Sequence, residues 1–372
     1  MIPVFRPSYG IKEFEAVKKV MASGWVGLGP KTQEFEEAFA KYIGTKYAVA
    51  LNSCTAALHL AFAVMDVEGG DVLTTPITFV STNHAILYNK ARPVFCDVEP
   101  DTLNISVKEI ERNITRNTKA IVTVHYGGHA CDMDIVRKLA KTGNIKIIED
   151  AAHACGAKYK GKKVGILGDI ACFSFHAVKN LATGEGGMIT TNDKRIYERL
   201  KKLRWLGISK GTWDREESEK DTKKYSWYYD VEEIGFKYHM NDIPAAIGIV
   251  QLKKLDKMND RRRELSLRYN DLLKGTGSIE TPVVKKYTKS AHHNYVIKTD
   301  DRNGLNAYLQ EKGVSTGVHY IPNHHYRMYK KFKAHCPVAD RVWEKLLTLP
   351  LYPDLSFKEQ DMVTRHIKEF FK

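Results

Sequence analysis

The chain has 372 residues, of which 43% are hydrophobic, so it is long enough for one large domain and a smaller one with substantial cores. No apolar run approaches the roughly 20 residues of a membrane-spanning helix, and the first residues lack the charged-then-apolar order of a secretory signal. We therefore expect a cytoplasmic protein with no membrane partner. The six cysteines include no C-x-x-C pair, which favours reduced, mostly buried thiols over a disulfide framework or a zinc knuckle.

Basic residues outnumber acidic ones by 58 to 44, for a formal net charge of +14. Such an excess is compatible with nucleic acid, an anionic membrane or a small polyanionic substrate. The basic residues recur along the whole chain between acidic ones, and no recognised nucleic-acid-binding motif accompanies them. We expect no nucleic acid partner. A solvated basic surface is the simplest interpretation, and an anionic small molecule ranks next.

From residue 46 onward, short strand-like runs alternate with runs of helical character. The predicted strands are 47–51, 72–74, 93–97, 120–124 and 145–148. The predicted helices between them are 56–65, 81–89, 107–113 and 133–141. This alternation predicts an α/β fold with a mostly parallel sheet between helices.

Polar residues follow several of these strands. Residues 53–56 come after the first strand and open a helix, where free backbone N–H groups and the helix dipole favour a phosphate. His125, Asp150 and His153 follow later strands, and so does the segment 174–179. Because sites in such sheets form outside the carboxyl ends of the strands, these residues predict a site at that edge.

Lys179 lies between an aromatic-Ser-aromatic run at 173–175, typical of a buried strand, and a glycine-rich turn at 183–187 that leads into a further strand. Asp150 lies at the end of the apolar run 145–148. An amine that forms a Schiff base needs a lysine held in a structured turn, and a pyridine ring that acts as an electron sink needs a carboxylate beside its nitrogen. Lys179 and Asp150 could supply these two parts of a cofactor enzyme. Taken alone, each signal is weak, because Lys179 could be an ordinary surface lysine and Asp150 could be a helix N-cap.

The second half of the chain has a different pattern. Residues 204–238 are aromatic and charged with little periodicity, which predicts a long functional loop region. A long helix is predicted over 243–272. It is followed by predicted strands at 294–297 and 315–318 and by predicted helices over 305–312, 339–347 and 357–370. We therefore predict a large domain of residues 1–242 and a smaller C-terminal α+β domain of residues 243–372.

Several ordered segments together resemble one enzyme family. These segments are 23–31, 53–60, 76–80, 149–156, 173–187, 235–242, 319–322 and 349–353. They resemble the DegT/DnrJ/EryC1/StrS sugar aminotransferases, within the fold type I pyridoxal-phosphate enzymes, and the resemblance runs almost end to end. It implies a large domain with a mostly parallel seven-stranded sheet between helices and a smaller C-terminal α+β domain. It also implies pyridoxal 5'-phosphate as the cofactor, with pyridoxamine phosphate as its intermediate form.

The resemblance further implies a role for individual residues. Lys179 would form the Schiff base and shuttle the proton, and Asp150 would keep the pyridine nitrogen protonated. The other cofactor contacts would be Phe79 on the ring, Thr55, Ala56 and Ser174 at the phosphate, His153 near the phenolic oxygen, and Asn241 from a neighbouring subunit. Substrate contacts would come from Trp25, Lys31, His319, Tyr320 and His324. The role of Asn241 implies a homodimer with shared active sites.

The implied reaction is a ping-pong transfer of an amino group from L-glutamate, released as 2-oxoglutarate, to C4 of a nucleotide-linked 4-keto-6-deoxy sugar. Such a product would enter amino-sugar and glycan biosynthesis, for example that of a lipopolysaccharide O-antigen. The choice of C4 depends on the segment 124–134, which is most similar to 4-aminating members such as GDP-perosamine synthase. Within it, Gly128, His129 and Ala130 replace the commoner Gly-Gln-Pro. A 3-aminotransferase and a non-catalytic cofactor-binding sensor are the alternatives, whereas Lys179 argues against related 3-dehydratases, which carry histidine there.

The histidines at 319, 324 and 325, with His125 and His129 elsewhere, also raise the question of a metal site. There is no H-E-x-x-H motif, and no carboxylate or thiolate stands nearby at ligand spacing. The family resemblance places His319 at the sugar site instead. We therefore expect no metal.

Overall fold

The computed structural model describes residues 1–209 and 229–372. In the predicted loop region, Trp213, Asp214, Arg215, Trp227 and Tyr228 lie outside the described residues. The described helices are α1 (Ile11–Ser23), α2 (Pro30–Ile43), α3 (Cys54–Val64), α4 (Val80–Tyr88), α5 (Val107–Asn113), α6 (Met133–Thr142), α7 (Lys194–Leu203), α8 (Asp242–Leu273), α9 (Arg302–Glu311), α10 (Pro337–Val342) and α11 (Phe357–Phe370). The described strands are β1 (Tyr47–Leu51), β2 (Asp71–Thr74), β3 (Arg92–Phe95), β4 (Thr118–Val124), β5 (Lys146–Asp150), β6 (Lys158–Tyr159), β7 (Lys162–Lys163), β8 (Ile170–Ser174), β9 (Gly187–Thr191), β10 (Thr288–Lys289), β11 (Tyr295–Lys298) and β12 (Leu346–Leu349). None of these described helices has the length and apolar character that crossing a bilayer requires.

Seven strands form the central sheet, in the order β1-β9-β8-β5-β4-β2-β3. The pairs from β8 to β3 along this order are parallel, whereas β9 runs antiparallel to both of its neighbours. The register sets Val124 beside Asp150 and Asp150 beside Cys172, so β4, β5 and β8 reach a common edge. The predicted mostly parallel seven-stranded sheet is confirmed.

Helices cover both faces of this sheet because successive side chains of its buried strands point to opposite faces. On β5, Ile147 packs into the core beneath α2, and Ile148 packs into the core beneath α3. By the same alternation, Glu149 and Asp150 point to opposite faces. Asp150 therefore ends the strand on the face that carries α3 and α4.

A third core surrounds the antiparallel pair of β11 and β12, flanked by α9 and α11. The 32-residue helix α8 serves two cores, with Ala245 and Leu255 in the core beneath α2 and with Leu265 and Tyr269 in the third core. The start of the chain also belongs to this third core, where Ile2 is 5% exposed. The division of the chain at residue 242 stays a prediction.

Two predicted elements near the C-terminus differ from the structure in extent or type, whereas the other predicted strands and helices overlap observed ones. The helix predicted over 339–347 is present as α10 and a following 3₁₀ turn over Trp343–Lys345, but its last two residues belong to β12 (Leu346–Leu349). All four residues of β12 are buried and their backbone pairs with β11, so tertiary pairing outweighs the local apolar pattern. The strand predicted at 315–318 is reduced to isolated bridges at Val314 and Gly317.

Candidate active site

The common edge of β4, β5 and β8 gathers most of the predicted site. Asp150 is the last residue of β5, Ser174 is the last residue of β8, and Lys179 lies in the loop that follows. Cys54, the first residue of α3, lies close enough to Lys179 to raise its pKa, and Asp150 and Lys179 both act on the pKa of Cys54. The sheet therefore brings together segments that are far apart in sequence.

Asp150 is 3% exposed, and both of its carboxylate oxygens accept hydrogen bonds. The Thr82 hydroxyl on α4 donates to Oδ2 at 2.7 Å, and the Ala152 N–H donates to Oδ1 at 3.1 Å. Burial nevertheless raises the pKa of Asp150, since its effect exceeds that of these bonds and of nearby cations. The carboxylate is thus fixed in orientation, and a cationic partner would stabilise its charge.

Lys179 lies in the loop between β8 and β9 and is partly buried. Its Nζ lies 3.4 Å from Nε2 of His293. Burial lowers the pKa of Lys179 to about 8, although Cys54 and Asp150 act in the opposite direction. About a tenth of such an amine is uncharged at pH 7, far more than for an ordinary lysine. Lys179 can therefore act as a nucleophile and as a base near neutral pH.

The first turn of α3 provides polar groups at the same edge. Ser53 caps the helix, since its Oγ accepts from the Ala56 N–H at 3.1 Å, and Thr55 is partly exposed. Gly187 on β9 permits this approach, because a Cβ there would lie 2.4 Å from the Ser53 carbonyl oxygen. Buried Ser174 adds a hydroxyl from β8. Backbone N–H groups and hydroxyls at a helix N-terminus suit a phosphate.

His153 and Tyr320 form a neighbouring wall. The Gly127 N–H donates to Nδ1 of His153 at 3.3 Å, so the neutral ring carries its proton on Nε2, which lies 3.1 Å from the Tyr320 hydroxyl. Burial lowers the pKa of His153 well below its ordinary value and keeps the ring neutral. His319 precedes Tyr320 and is held to β12 by a hydrogen bond. Phe79 lies beside Tyr320, with ring centroids 6.0 Å apart, and is 58% exposed.

This set of residues fits pyridoxal phosphate. The exposed face of Phe79 is available for stacking on an aromatic ring. The buried carboxylate of Asp150 suits a ring N–H, the amine of Lys179 suits an aldehyde, and the start of α3 suits a phosphate. These are the chemical features that the cofactor requires.

Three predicted site residues form a second group around buried Asp242, the first residue of α8. Asp242 accepts from the backbone N–H groups of Gly29, Lys31 and Thr32, and thereby fixes the start of α2 to α8. Trp25 lies in the turn between α1 and α2, where its Nε1–H donates to the Leu28 carbonyl oxygen at 3.3 Å. Asn241 caps α8 and is exposed. Within the described residues, the side chains of Lys31 and Asn241 do not contact those around Lys179.

His324 lies in a separate cluster with His325 and Asp340. Oδ1 of Asp340 lies 2.8 Å from Nε2 of His324 and 2.7 Å from Nε2 of His325. The expectation that no carboxylate stands near these histidines is therefore wrong, because α10 brings Asp340 to them. The three ligand atoms lie within 4.8 Å of one another. The absence of a metal stays a prediction.

His129, at the departure from Gly-Gln-Pro, is 5% exposed and belongs to the scaffold. The Lys285 N–H donates to its Nε2 at 3.0 Å, and its Nδ1 lies 2.8 Å from the Ala130 carbonyl oxygen. Burial lowers the pKa of His129 to about 4. His129 therefore anchors the loop at Lys285 to the segment that follows β4.

Sequence reasoning missed Thr82, Asn180 and His293. Thr82 reaches Asp150 from another helix, and no sequence pattern pointed to it. The adjacent pair His292 and His293 before a strand was the only available signal for the contact with Lys179.

The model of the DegT/DnrJ/EryC1/StrS aminotransferase family matches residues 7–368. The chain is 44% identical to the uncharacterized protein MJ1066 of Methanocaldococcus jannaschii, over 99% of this chain and 97% of that protein. It is 40% identical to the spore coat polysaccharide biosynthesis protein SpsC of Bacillus subtilis, over 100% of this chain and 97% of SpsC. The sugar aminotransferase CalS13 of Micromonospora echinospora has a similar solved structure, with a TM-score of 0.91, 31% identity, and coverage of 99% of this chain and 100% of CalS13.

Proposed function

The chain belongs to the DegT/DnrJ/EryC1/StrS aminotransferase family, whose members depend on pyridoxal phosphate, and we propose that it moves an amino group from L-glutamate to C4 of a nucleotide-linked 4-keto-6-deoxy sugar. The family, the fold and the cofactor predicted from the sequence are thereby confirmed. The observation that carries the proposal is the meeting of a lysine amine, Lys179, and a buried carboxylate, Asp150, at one sheet edge. The name of SpsC supports a product used in polysaccharide biosynthesis.

Lys179 moves the proton in this scheme. When bound, pyridoxal phosphate supplies an electron sink for the negative charge left on the carbon that loses a proton. The amine of Lys179 takes the proton from Cα of glutamate, because its lowered pKa leaves part of it uncharged near neutral pH. It then delivers that proton to the carbon at the other end of the electron-sink system. Water supplies the keto oxygen of 2-oxoglutarate as it is released, and the amino group stays behind in the site for transfer to the sugar. With the keto sugar, Lys179 performs the same transfers in the reverse order.

Asp150 holds the proton on the ring nitrogen of the cofactor. Its two oxygens are already oriented by Thr82 and Ala152, so little reorganisation is needed. A cation beside this buried carboxylate favours the charged form of both groups. His153 and Tyr320, linked at 3.1 Å, border the site with neutral donors and acceptors.

A homodimer would complete the site. Asn241, Trp25 and Lys31 form one unit through Asp242, and in this proposal that unit enters the site of the partner subunit. Asn241 is exposed and its side chain can turn to a phosphate. The ammonium of Lys31 would face the diphosphate of the sugar nucleotide, in keeping with the overall charge of +14.

The direct test follows the visible absorption of the cofactor-loaded protein. We expect L-glutamate to bleach the visible absorption band of the bound cofactor. One member of a panel of UDP-, GDP- and dTDP-linked 4-keto sugars should then restore that band. NMR of the product then distinguishes amination at C4 from amination at C3. No response to glutamate despite bound cofactor would favour a sensor over an enzyme.

A further inference from the structure

Behind Lys179 lies a chain of buried amides whose orientation is fixed. Asn259 Nδ2 donates to the Cys155 carbonyl oxygen at 2.9 Å, so its Oδ1 is the atom that faces Asn180. Asn180 Nδ2 donates to that oxygen at 2.7 Å and to the Ala291 carbonyl oxygen at 2.8 Å. Both carbonyls can only accept, so neither amide can be turned around.

This orientation fixes the tautomer of His293. The free oxygen of Asn180 lies 3.0 Å from Nδ1 of His293, and an amide oxygen can only accept. Nδ1 therefore carries the proton, and Nε2 presents a lone pair to Nζ of Lys179 at 3.4 Å. Phe5 stacks on the imidazole with an interplanar angle of 2° and a centroid separation of 5.4 Å, which fixes the ring plane.

We propose that His293 is a positioning residue that accepts a hydrogen bond from Lys179 whenever this amine is not joined to the cofactor. Because Nε2 can only accept, Lys179 uses one N–H for this contact and keeps its own lone pair free to remove a proton. His293 thus fixes the position of the Lys179 amine in those steps in which it is not joined to the cofactor. The role of that amine rests on the proposed function, whereas the hydrogen bond and the tautomer do not.

Several titratable groups face Lys179 and bear on any test that varies pH. They are Cys54 on α3, Asp150 on β5, His153 after β5, His293 before β11, and His319, whose ring is hydrogen-bonded to β12. Burial lowers the pKa of His153 and His293 well below the ordinary value and that of His319 to about 4, so these rings stay neutral near pH 7. Cys54 also stays neutral, because burial raises its pKa well above the ordinary value. Burial raises the pKa of Asp150 and lowers that of Lys179 to about 8, so acetylation, which reacts with the amine alone, is used to follow Lys179.

The test uses cofactor-free protein and His293→Phe, which retains a flat ring for Phe5 but offers no acceptor. Trace acetylation of Lys179, followed by mass spectrometry as a function of pH, reports its uncharged fraction. We expect the midpoint to fall by about one pH unit, because the ammonium form loses an acceptor. The rate of pyridoxal phosphate capture should follow the same shifted profile, while single-turnover deamination of glutamate falls about tenfold or more. A purely structural loss would lower both rates without moving the midpoint.

Two variants serve as comparisons. His293→Gln restores an acceptor at the position of Nε2 and should bring the midpoint back toward the wild-type value. His292→Phe removes the adjacent imidazole, which within the described residues has no hydrogen bond to Lys179 or Asn180, and should leave the midpoint unchanged. An unshifted midpoint in folded His293→Phe overturns the proposal.

A measurement on the wild-type chain tests the proposal even if the His293 variants do not fold. In protein labelled with 15N-histidine, we expect His293 to show the Nδ1-protonated neutral tautomer, and an Nε2-protonated ring would overturn the proposal. Because this measurement and acetylation need no cofactor, they test His293 even if the protein binds no pyridoxal phosphate. Failure to bind the cofactor would count against the proposed function alone.

Discussion

At the scale of single residues, burial acts in the same sense on two groups of opposite charge. It raises the pKa of the Asp150 carboxyl and lowers the pKa of the Lys179 amine, so each is less charged than in water. A carboxylate in that state gains from a cationic ring nitrogen, and an amine in that state is ready to react. If the cofactor binds here as proposed, its ring nitrogen would offset part of the cost of burying the Asp150 carboxylate.

The first expected outcome concerns Lys179→Ala. Glutamate deamination should fall by at least 10²- to 10⁴-fold, the range for loss of a general base. The midpoint of thermal unfolding should stay near the wild-type value, because no large apolar group is removed from a core. Lys12→Ala, an exposed position on α1, is the matched control and should retain full activity. Near-normal turnover of Lys179→Ala would refute the assignment.

The second expected outcome concerns Asp150→Asn, which should separate stability from activity. The raised pKa means that the folded state holds the proton more tightly than the unfolded state, so folding of wild-type protein loses stability as pH rises through that pKa. The cofactor-free variant should therefore unfold at a higher temperature than wild type at pH 7. The difference should vanish as pH falls below the ordinary aspartate range.

The same variant should deaminate glutamate about 10²- to 10³-fold more slowly, as is typical when a key electrostatic contact is lost. Calorimetry across pH and single-turnover absorbance measure the two effects on one protein. A variant that is destabilised at pH 7, or that deaminates glutamate at the wild-type rate, contradicts this account of Asp150.

The residues that sequence could and could not identify differ in a physical respect. Lys179 and Asp150 could be predicted from the sequence because the proposed chemistry requires those side chains and each lies in a recognisable local pattern. Thr82 and His293 act through contacts between segments that only the folded sheet brings together. Their identity depends on tertiary geometry, which a single local pattern does not contain.

At the scale of secondary structure, α2 receives its N-terminal cap from another helix. Asp242 on α8 accepts from the N–H groups of Gly29, Lys31 and Thr32 and from the Thr32 hydroxyl, at 2.7 to 3.1 Å. Sequence could not show this, since cap signals are sought immediately before a helix and the residue there is Gly29. The contact couples the turn that carries Lys31 to the start of α8.

The third expected outcome is that Asp242→Ala destabilises the protein by about 2–3 kcal/mol in urea unfolding, because several buried donors lose their acceptor at once. Asp301→Ala is the matched control. Asp301 caps its own helix at an exposed position through one bond to Gly304, so its loss should cost about 1 kcal/mol or less. If the two substitutions lower the free energy of unfolding equally, the cap from Asp242 stabilises the protein no more than an ordinary helix cap.

At the scale of the whole molecule, the predicted site residues other than His324 fall into two groups held by different parts of the chain. One group surrounds Lys179, and the other surrounds Asp242. A twofold symmetric dimer would place each group of one subunit against the other group of its partner. Activity would then depend on assembly as well as on folding.

The fourth expected outcome tests this arrangement by mixing two inactive variants. After subunit exchange between Lys179→Ala and Asn241→Ala, half of the dimers are hybrids, and each hybrid has one intact site. About a quarter of the wild-type activity should return. Mixing Lys179→Ala with Asp150→Asn is the control, because both changes lie in the same group and every hybrid site stays defective. Equal recovery in both mixtures, or in neither, would refute shared sites.

Residues near the start of the sequence pack against residues far along it, which has a consequence for folding during translation. Ile2 belongs to the third core, beside β12, and Phe5 stacks on His293. On a ribosome, these early residues emerge long before their partners, and at about 5–20 residues per second the wait lasts tens of seconds. The central sheet can form first, but the third core and the stacking of Phe5 on His293 stay incomplete until the segment 293–349 has emerged. A stalled or truncated product would therefore carry much of the fold without a working centre.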